Sequence, residues 1–479
     1  MQKVWSISGR SIAVSALALA LTACQSMRGP EPVAQTSIPS SYTAAASGTS
    51  VAEQGYKDFF ADQRLLQVLD MALNNNRDLR TATLNIQRAQ QAYQITENNQ
   101  LPTIGASGSV LRQDQGGGAQ TRYNVLLGVT AYELDFWGRV RSLKDNALDS
   151  YLATQSSRDA TQIALIGQVA QAWLNYSFAN ANLKLADQTL KTQLESYNLN
   201  KKRFDVGIDS ELPVRQAQIS VETARNDVAN YKTQVAQAQN LLNLLVGEQV
   251  PSALLPTQRV TRITNTTAFG AGLPSDLLNN RPDIRTAEYR LSAAGANIGA
   301  AKARLFPSIS LTGNAGYAST DLSDLFKSGS FVWAVGPSID LPIFDWGTRQ
   351  ANIKISETDQ QIALADYEKS IQSAFREVND ALAVRQNIGD RLAAQKRLVD
   401  ATNTTYKLSN ARFRAGIDNY LTVLDAQRTS YAAEQGLLLL EQANLNNQVE
   451  LYKSLGGGVK TNTSDVTSQP ASSAERKAQ

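Results

Sequence analysis

The chain has 479 residues, room for two or three domains of ordinary size. It has no histidine and one cysteine, Cys24, which excludes histidine-based triads and proton shuttles, His-ligated zinc, disulfide frameworks and thiolate clusters. Lys and Arg number 46 against 43 Asp and Glu, a near-neutral balance that leaves no electrostatic footprint for nucleic acid.

Lys3 and Arg10 precede an uncharged Ala- and Leu-rich stretch from Ser11 to Ala23, too short to cross a membrane, and residues 1–23 therefore read as a signal segment. Leu21-Thr22-Ala23-Cys24 resembles a bacterial lipobox, and the resemblance implies that Cys24 becomes the acylated N-terminus. Cleavage after Ala18-Leu19-Ala20, leaving a stray thiol, is the plainer alternative. Gln25, where an Asp is absent, is what lipoproteins sent to an outer membrane look like. Residues 24–60, rich in Pro, Ser, Thr and Ala, read as a tether.

From there the chain repeats itself. Leu101-Pro102-Thr103-Ile104 is answered 205 residues later by Phe306-Pro307-Ser308-Ile309, and Asp78-Leu79-Arg80-Thr81-Ala82 by Asp283-Ile284-Arg285-Thr286-Ala287. Trp137-Gly138, Arg203-Phe204, Gly207-Ile208-Asp209, Ala217-Gln218 and Gly247 all recur 209 residues on. The spacing predicts repeat 1 over 61–250, a linker or equatorial segment over 251–275, repeat 2 over 276–458 and a polar tail over 459–479.

Within each repeat two textures alternate. Segments 103–135 and 308–343 alternate Gly, Ser and Thr with aliphatics around a polar loop, and are predicted as two hairpins with strands of about ten residues, the length that crosses an outer membrane when tilted. Four strands leave open edges that lipid does not tolerate. Three copies would supply twelve strands and close a barrel. No proline occurs from 103 to 212 or from 343 to 468, so long helices are predicted over 139–206 and 348–415, roughly 100 Å each, with return helices over 210–246 and 420–455. A further amphipathic helix is predicted at about 77–100. Leu183, Leu190, Tyr197 and Phe204 recur every seven residues, as do Leu392, Val399, Tyr406 and Phe413. Val214 to Leu242 and Leu424 to Tyr452 continue the heptads as apolar seams of antiparallel coiled coils.

Arg281-Pro282-Asp283-Ile284, Leu305-Phe306-Pro307-Ser308, Phe344-Asp345-Trp346-Gly347 and the run Arg412-Phe413-Arg414-Ala415-Gly416-Ile417-Asp418-Asn419-Tyr420-Leu421 through Arg428 together resemble the TolC family of outer-membrane efflux channels, most closely its lipidated OprM-like branch. The resemblance covers essentially the whole mature chain. It implies a mainly α fold with a membrane β-barrel: a homotrimer with a twelve-stranded barrel in outer-membrane lipid and a long α-helical barrel in the periplasm. It implies docking through a periplasmic adaptor to an inner-membrane RND-type transporter, in a Gram-negative bacterium.

The same resemblance gives the residues their expected roles. Gly207, Asp209, Ser210, Gly416 and Asp418 form helix-hairpin tips that also meet the adaptor. Asp425 forms a three-fold ring at the periplasmic mouth beside a Leu421 ring, and Arg412 and Arg428 latch neighbouring helices. The repeat offers a control, because Asp425 and Arg428 are answered by Gln216 and Ile219 in repeat 1. Arg281 and Asp283 read as helix-start chemistry. For Trp137 and Trp346, packing and an interfacial aromatic belt are equally open. No enzyme site, cofactor or metal site is expected. Rival functions are a duct for metal ions or secreted protein, and a lipid-anchored coiled-coil spacer without a pore.

Overall fold

The structure is a computed structural model in which residues 27–35, 42, 49–50, 54–114, 116–265, 269–270 and 276–457 are described. The signal segment, Cys24 and the 459–479 tail lie outside the described residues. The elements in chain order are β1 (Thr49–Ser50), α1 (Tyr56–Phe59), α2 (Gln63–Asn75), α3 (Arg77–Asn98), β2 (Ile104–Asp114), β3 (Ala119–Glu133), α4 (Arg139–Asp205), α5 (Glu211–Val246), β4 (Phe269–Gly270), α6 (Asp276–Asn280), α7 (Pro282–Ala303), β5 (Ser308–Ser319), β6 (Phe331–Asp340), α8 (Thr348–Arg414) and α9 (Tyr420–Ser454). α4 and α8 have 67 residues each. The chain divides into two compact units.

One unit is built on residues 84–156 and 284–370. Its sheet runs β2-β3-β5-β6, antiparallel throughout, so the two hairpins meet along β3 and β5. Paired residues share a face, and the register sorts the faces by chemistry. Ile104, Val110, Tyr123, Val125, Leu127 and Val129 lie with Ile309, Tyr317, Phe331, Trp333, Val335 and Ile339. The opposite face carries Ser107, Ser109, Asn124, Arg122, Asn314, Ser310 and Ser338, with Leu111, Leu126 and Val332 as apolar exceptions. A bulge between Val129 and Tyr132, with Ala131 at φ 51°, puts Tyr132 opposite Leu311 and so keeps it on the apolar face. A β-carbon at Gly316 would sit 2.1 Å from the Val125 carbonyl oxygen, so only glycine permits β3 and β5 to approach here. No helix among the described residues is long and apolar enough to cross a membrane; the apolar face belongs to this sheet.

The other unit, within residues 54–83, 157–283 and 371–457, is helical. Its core centres on Phe59, Phe60, Leu65, Leu69, Trp173, Phe178, Leu242, Ile263 and Tyr452, all fully buried or nearly so. Phe59 stacks on Tyr452 at 4.5 Å between centroids, and the Trp173 indole N–H donates to the Leu254 carbonyl in the 251–265 segment. Asp62 caps α2 by accepting from the Arg64 backbone N–H at 2.9 Å.

The repeat is visible here atom by atom. Asn76, just before α3, donates its amide to the Leu245 carbonyl at 2.8 Å near the end of α5. Arg281, its counterpart just before α7, donates to the Ser454 carbonyl at 2.9 Å at the end of α9. Gly247 and Gly456 follow those helices with φ 83° and 97°, and a β-carbon would come within 2.4 Å of the Asn75 carbonyl oxygen and 2.6 Å of the Asn280 one. Left-handed backbone and close approach together require glycine.

Candidate functional site

Each long helix returns through a five-residue tip that shares two backbone hydrogen bonds with the other. In the first, Gly207 has φ 79°, and Gly207 and Ile208 donate backward to the Phe204 and Arg203 carbonyls. In the second, Gly416 has φ 74°, and Gly416 and Ile417 donate to Phe413 and Arg412. An arginine clips each turn: Arg203 binds Asp209, and Arg412 binds Asp418 through Nε at 2.7 Å and a second nitrogen at 3.0 Å. The Arg412 guanidinium holds the Asp418 carboxyl below its ordinary value of 3.8. Within one chain the Arg412 charge is engaged in its own tip, and repeat 1 has the same device.

The tips differ at the start of the return helix. Asn419 caps α9 by accepting from the Thr422 N–H at 3.2 Å, whereas Ser210, at the equivalent place before α5, makes no side-chain cap. Phe413 is 5 % exposed, packed with Tyr420, Val423, Leu424 and Ala217, while Phe204 at the matching seam position is 41 % exposed. The Arg203 guanidinium lies 5.2 Å from the Phe413 ring centre, joining the two hairpins.

Leu421, Asp425 and Arg428 are spaced i, i+4, i+7 and form one exposed stripe on α9, with Tyr420, Leu424 and Gln427 buried behind them. Among the described residues, Asp425 and Arg428 make no ion pair. Burial pushes the Tyr420 hydroxyl up to about 12, against the pull of the Arg428 charge, and that hydroxyl has no hydrogen-bond partner among the described residues. In repeat 1, Gln216 is half-buried and Ile219 exposed, so no charge stands on the matching stripe.

Two arrangements go beyond the sequence expectations. Tyr431, placed on the apolar seam, donates its hydroxyl to Asp227 on α5 at 3.2 Å, and Gln435 donates to the Tyr231 hydroxyl at 2.9 Å, giving α5 and α9 a polar contact. Arg281 is more than helix-start chemistry. Buried at the end of α9, it binds Asp283 twice, at 3.0 and 2.7 Å, and Glu377 at 2.8 Å. Burial works against its charge, but hydrogen bonds and attraction from Asp283 and Glu377 more than offset this and raise its pKa. No local sequence signal gives the second, since the repeat-1 counterpart Asn76 is neutral and Glu377 lies 96 residues away.

In the sheet-bearing unit the two tryptophans part company. Trp137 stacks on Phe306 at 4.6 Å and donates its indole N–H to the Pro307 carbonyl at 2.8 Å. Trp346, at φ 54°, is 91 % exposed beside Phe344.

Nothing in this set forms a nucleophile, base and orienter, and the described residues hold no cluster of His, Cys, Asp and Glu suited to a metal ion. Comparison with known proteins agrees with a transport architecture. The outer membrane efflux protein family model matches residues 68–248 and 273–457, one segment per repeat. The toluene efflux pump outer membrane protein TtgC of Pseudomonas putida is 44 % identical over 432 residues, covering 88 % of this chain and 89 % of that protein. The cation efflux system protein CusC of Escherichia coli O157:H7 is 38 % identical over 451 residues, 92 % of this chain and 97 % of its own. The open-state Neisseria gonorrhoeae MtrE outer membrane channel superposes with a TM-score of 0.84 at 38 % identity, over 91 % of this chain and 99 % of that one. Both repeats being matched at these levels, the chain belongs to the outer membrane efflux protein family, the TolC-like channels, and serves in the outer membrane as an efflux channel component, not as an enzyme.

Proposed function

We propose that three copies close a twelve-stranded barrel and form an exit duct for drugs or other small solutes, delivered by an inner-membrane RND-type transporter through a periplasmic adaptor, with Cys24 acylated as an additional anchor. The observation that carries this reading is the sheet: one face aliphatic and aromatic, the other Ser- and Asn-rich, with β2 and β6 unpaired at its edges. Lipid accepts such a sheet only once its edges are closed. A spacer without a pore has no use for it. The cargoes named for the relatives, toluene in one and cations in the other, are both small solutes. A metal-ion duct is the second reading, favoured by the CusC likeness. Against it, a chain with no histidine and three methionines offers no relay of soft-metal ligands.

The mouth is assigned to Leu421, Asp425, Arg412 and Arg428, the two arginines latching neighbouring helices, with the Gly207, Asp209, Ser210, Gly416 and Asp418 turns meeting the adaptor. Three Asp425 carboxylates around one axis repel by on the order of a few kcal/mol at intermediate dielectric, so the mouth favours cations and needs Arg428 to stay shut. Planar-bilayer recording tests both parts. Purified trimers should give discrete conductance steps, and trimers that never conduct would leave only the spacer. Asp425→Ala with Arg428→Ala should raise the conductance, and Asp425→Ala alone should weaken cation selectivity. Gln216→Ala with Ile219→Ala should change conductance much less. Equal conductance in all four proteins would make Asp425 an ordinary solvated residue.

A further inference from the structure

Within one chain, the outgoing end of repeat 1 is joined to the incoming end of repeat 2 by three contacts. β3 pairs with β5, the Leu134 N–H donates to the Ile309 carbonyl at 2.8 Å, and Trp137 stacks on Phe306 while donating to the Pro307 carbonyl. Every acceptor in that joint is the repeat-2 form of a repeat-1 residue: Phe306 answers Leu101, Pro307 answers Pro102 and Ile309 answers Ile104. Every donor has a repeat-2 form too, Ile343 for Leu134 and Trp346 for Trp137, both 209 residues on.

These second-set residues are the ones left open. β6 and β2 are the sheet edges, Ile343 is 89 % exposed, Trp346 91 %, Leu101 65 % and Ile104 68 %. We propose that a second copy of this chain completes the joint: Trp346 of one copy covers Leu101 of the adjacent copy and donates its indole N–H to the Pro102 carbonyl there, while the Ile343 N–H reaches the Ile104 carbonyl. The proposal rests on the trimeric reading above and specifies its interface. A head-to-tail contact repeated three times closes a ring in which joints within and between chains alternate and are built alike.

A tryptophan anchoring the barrel rim in lipid would explain the exposure of Trp346 but would leave Leu101 and the Pro102 carbonyl without a role.

The test is photo-cross-linking in the full-length protein in outer membranes. With Trp346→benzoylphenylalanine, irradiation should give species of two- and three-chain mass, and peptide mapping should place the link at residues 101–104. With Trp137→benzoylphenylalanine, the link should fall on residues 305–308 within single chains. Trp346→Leu should lower the temperature at which trimers separate, with Trp346→Phe, which keeps a ring but loses the N–H, between it and wild type. Adducts only to lipid, or to another segment, in a protein shown by native mass to be trimeric would overturn this joint and leave the trimer standing. A native mass of one chain would overturn the trimeric reading itself, and the joint with it.

Discussion

The junctions before α3 and α7 use the same backbone and opposite chemistry. At the first, Asn76 holds the Leu245 carbonyl with a neutral amide, and its own side-chain oxygen accepts from the Leu79 N–H to cap α3. At the second, Arg281 reaches the Ser454 carbonyl, but the guanidinium brings Asp283 and Glu377 with it, so α7, α8 and α9 are tied through one buried cation. The glycine after the return helix and the carbonyl it faces are retained in both. What the pair teaches is that main-chain geometry defines the junction, while its polarity is free to differ between repeats. In repeat 2 that freedom ties α8, which carries the clipped second tip, to a charged hub.

The comparison breaks most readily at the hub. Arg281→Met strands two carboxylates and should cost about 3 kcal/mol, read as a lowered unfolding midpoint, whereas Asn76→Ala should cost about 1 kcal/mol as a lost cap. Equal losses would mean that the added charges contribute nothing. Next come the glycines. Gly247→Ala and Gly456→Ala each force a β-carbon onto a carbonyl at positive φ, and each should lose about 2 kcal/mol. Similar losses at the two sites would sharpen the view that the backbone is the shared part. Tyr431→Phe removes the hydroxyl that reaches Asp227 and should cost about 1 kcal/mol, and Asp227→Asn, which still accepts, should cost less. The smallest effect belongs to the tips. Because Arg412 depresses the Asp418 carboxyl, the clip is fully formed above that group's ordinary value of 3.8 and is lost as pH falls through the depressed one. Tip mobility measured by spin labels should therefore be the same at pH 7 and pH 5, and should rise only in stronger acid.

Local patterns made the fold legible. The matched offsets, the proline-free runs and the heptads each act within a turn or two of chain, and hairpin texture is equally local, so the long helices and the four strands could be read directly. The interactions that fix the ends were not, because their partners are far away in sequence. Glu377 and Ser454 are 96 and 173 residues from Arg281. Tyr431 fits an apolar heptad because the ring fills the seam; periodicity is blind to the hydroxyl that finds Asp227. Phe204 and Phe413 occupy equal seam positions, yet only Phe413 is covered, by α9 and by the Arg203 guanidinium from the other hairpin. The arginine clip, by contrast, was open to reading: Arg followed by Asp six positions later stands at both tips.

The pairing of β3 with β5 also sets the order in which the molecule can be made. Each helical hairpin closes across a tip of five residues, while Ser308 lies 175 positions after Glu133. Closing such a loop is slow compared with winding a helix, so the coils form early and the sheet is finished late. Throughout that interval the β2–β3 hairpin carries an apolar face and an unpaired edge through water, the combination that drives aggregation. A nascent chain that has emerged only as far as Val250 therefore has its first coiled coil in hand and its strands still in need of protection, which makes the arrival of Ser308–Ser319 the event that commits the polypeptide to assembly.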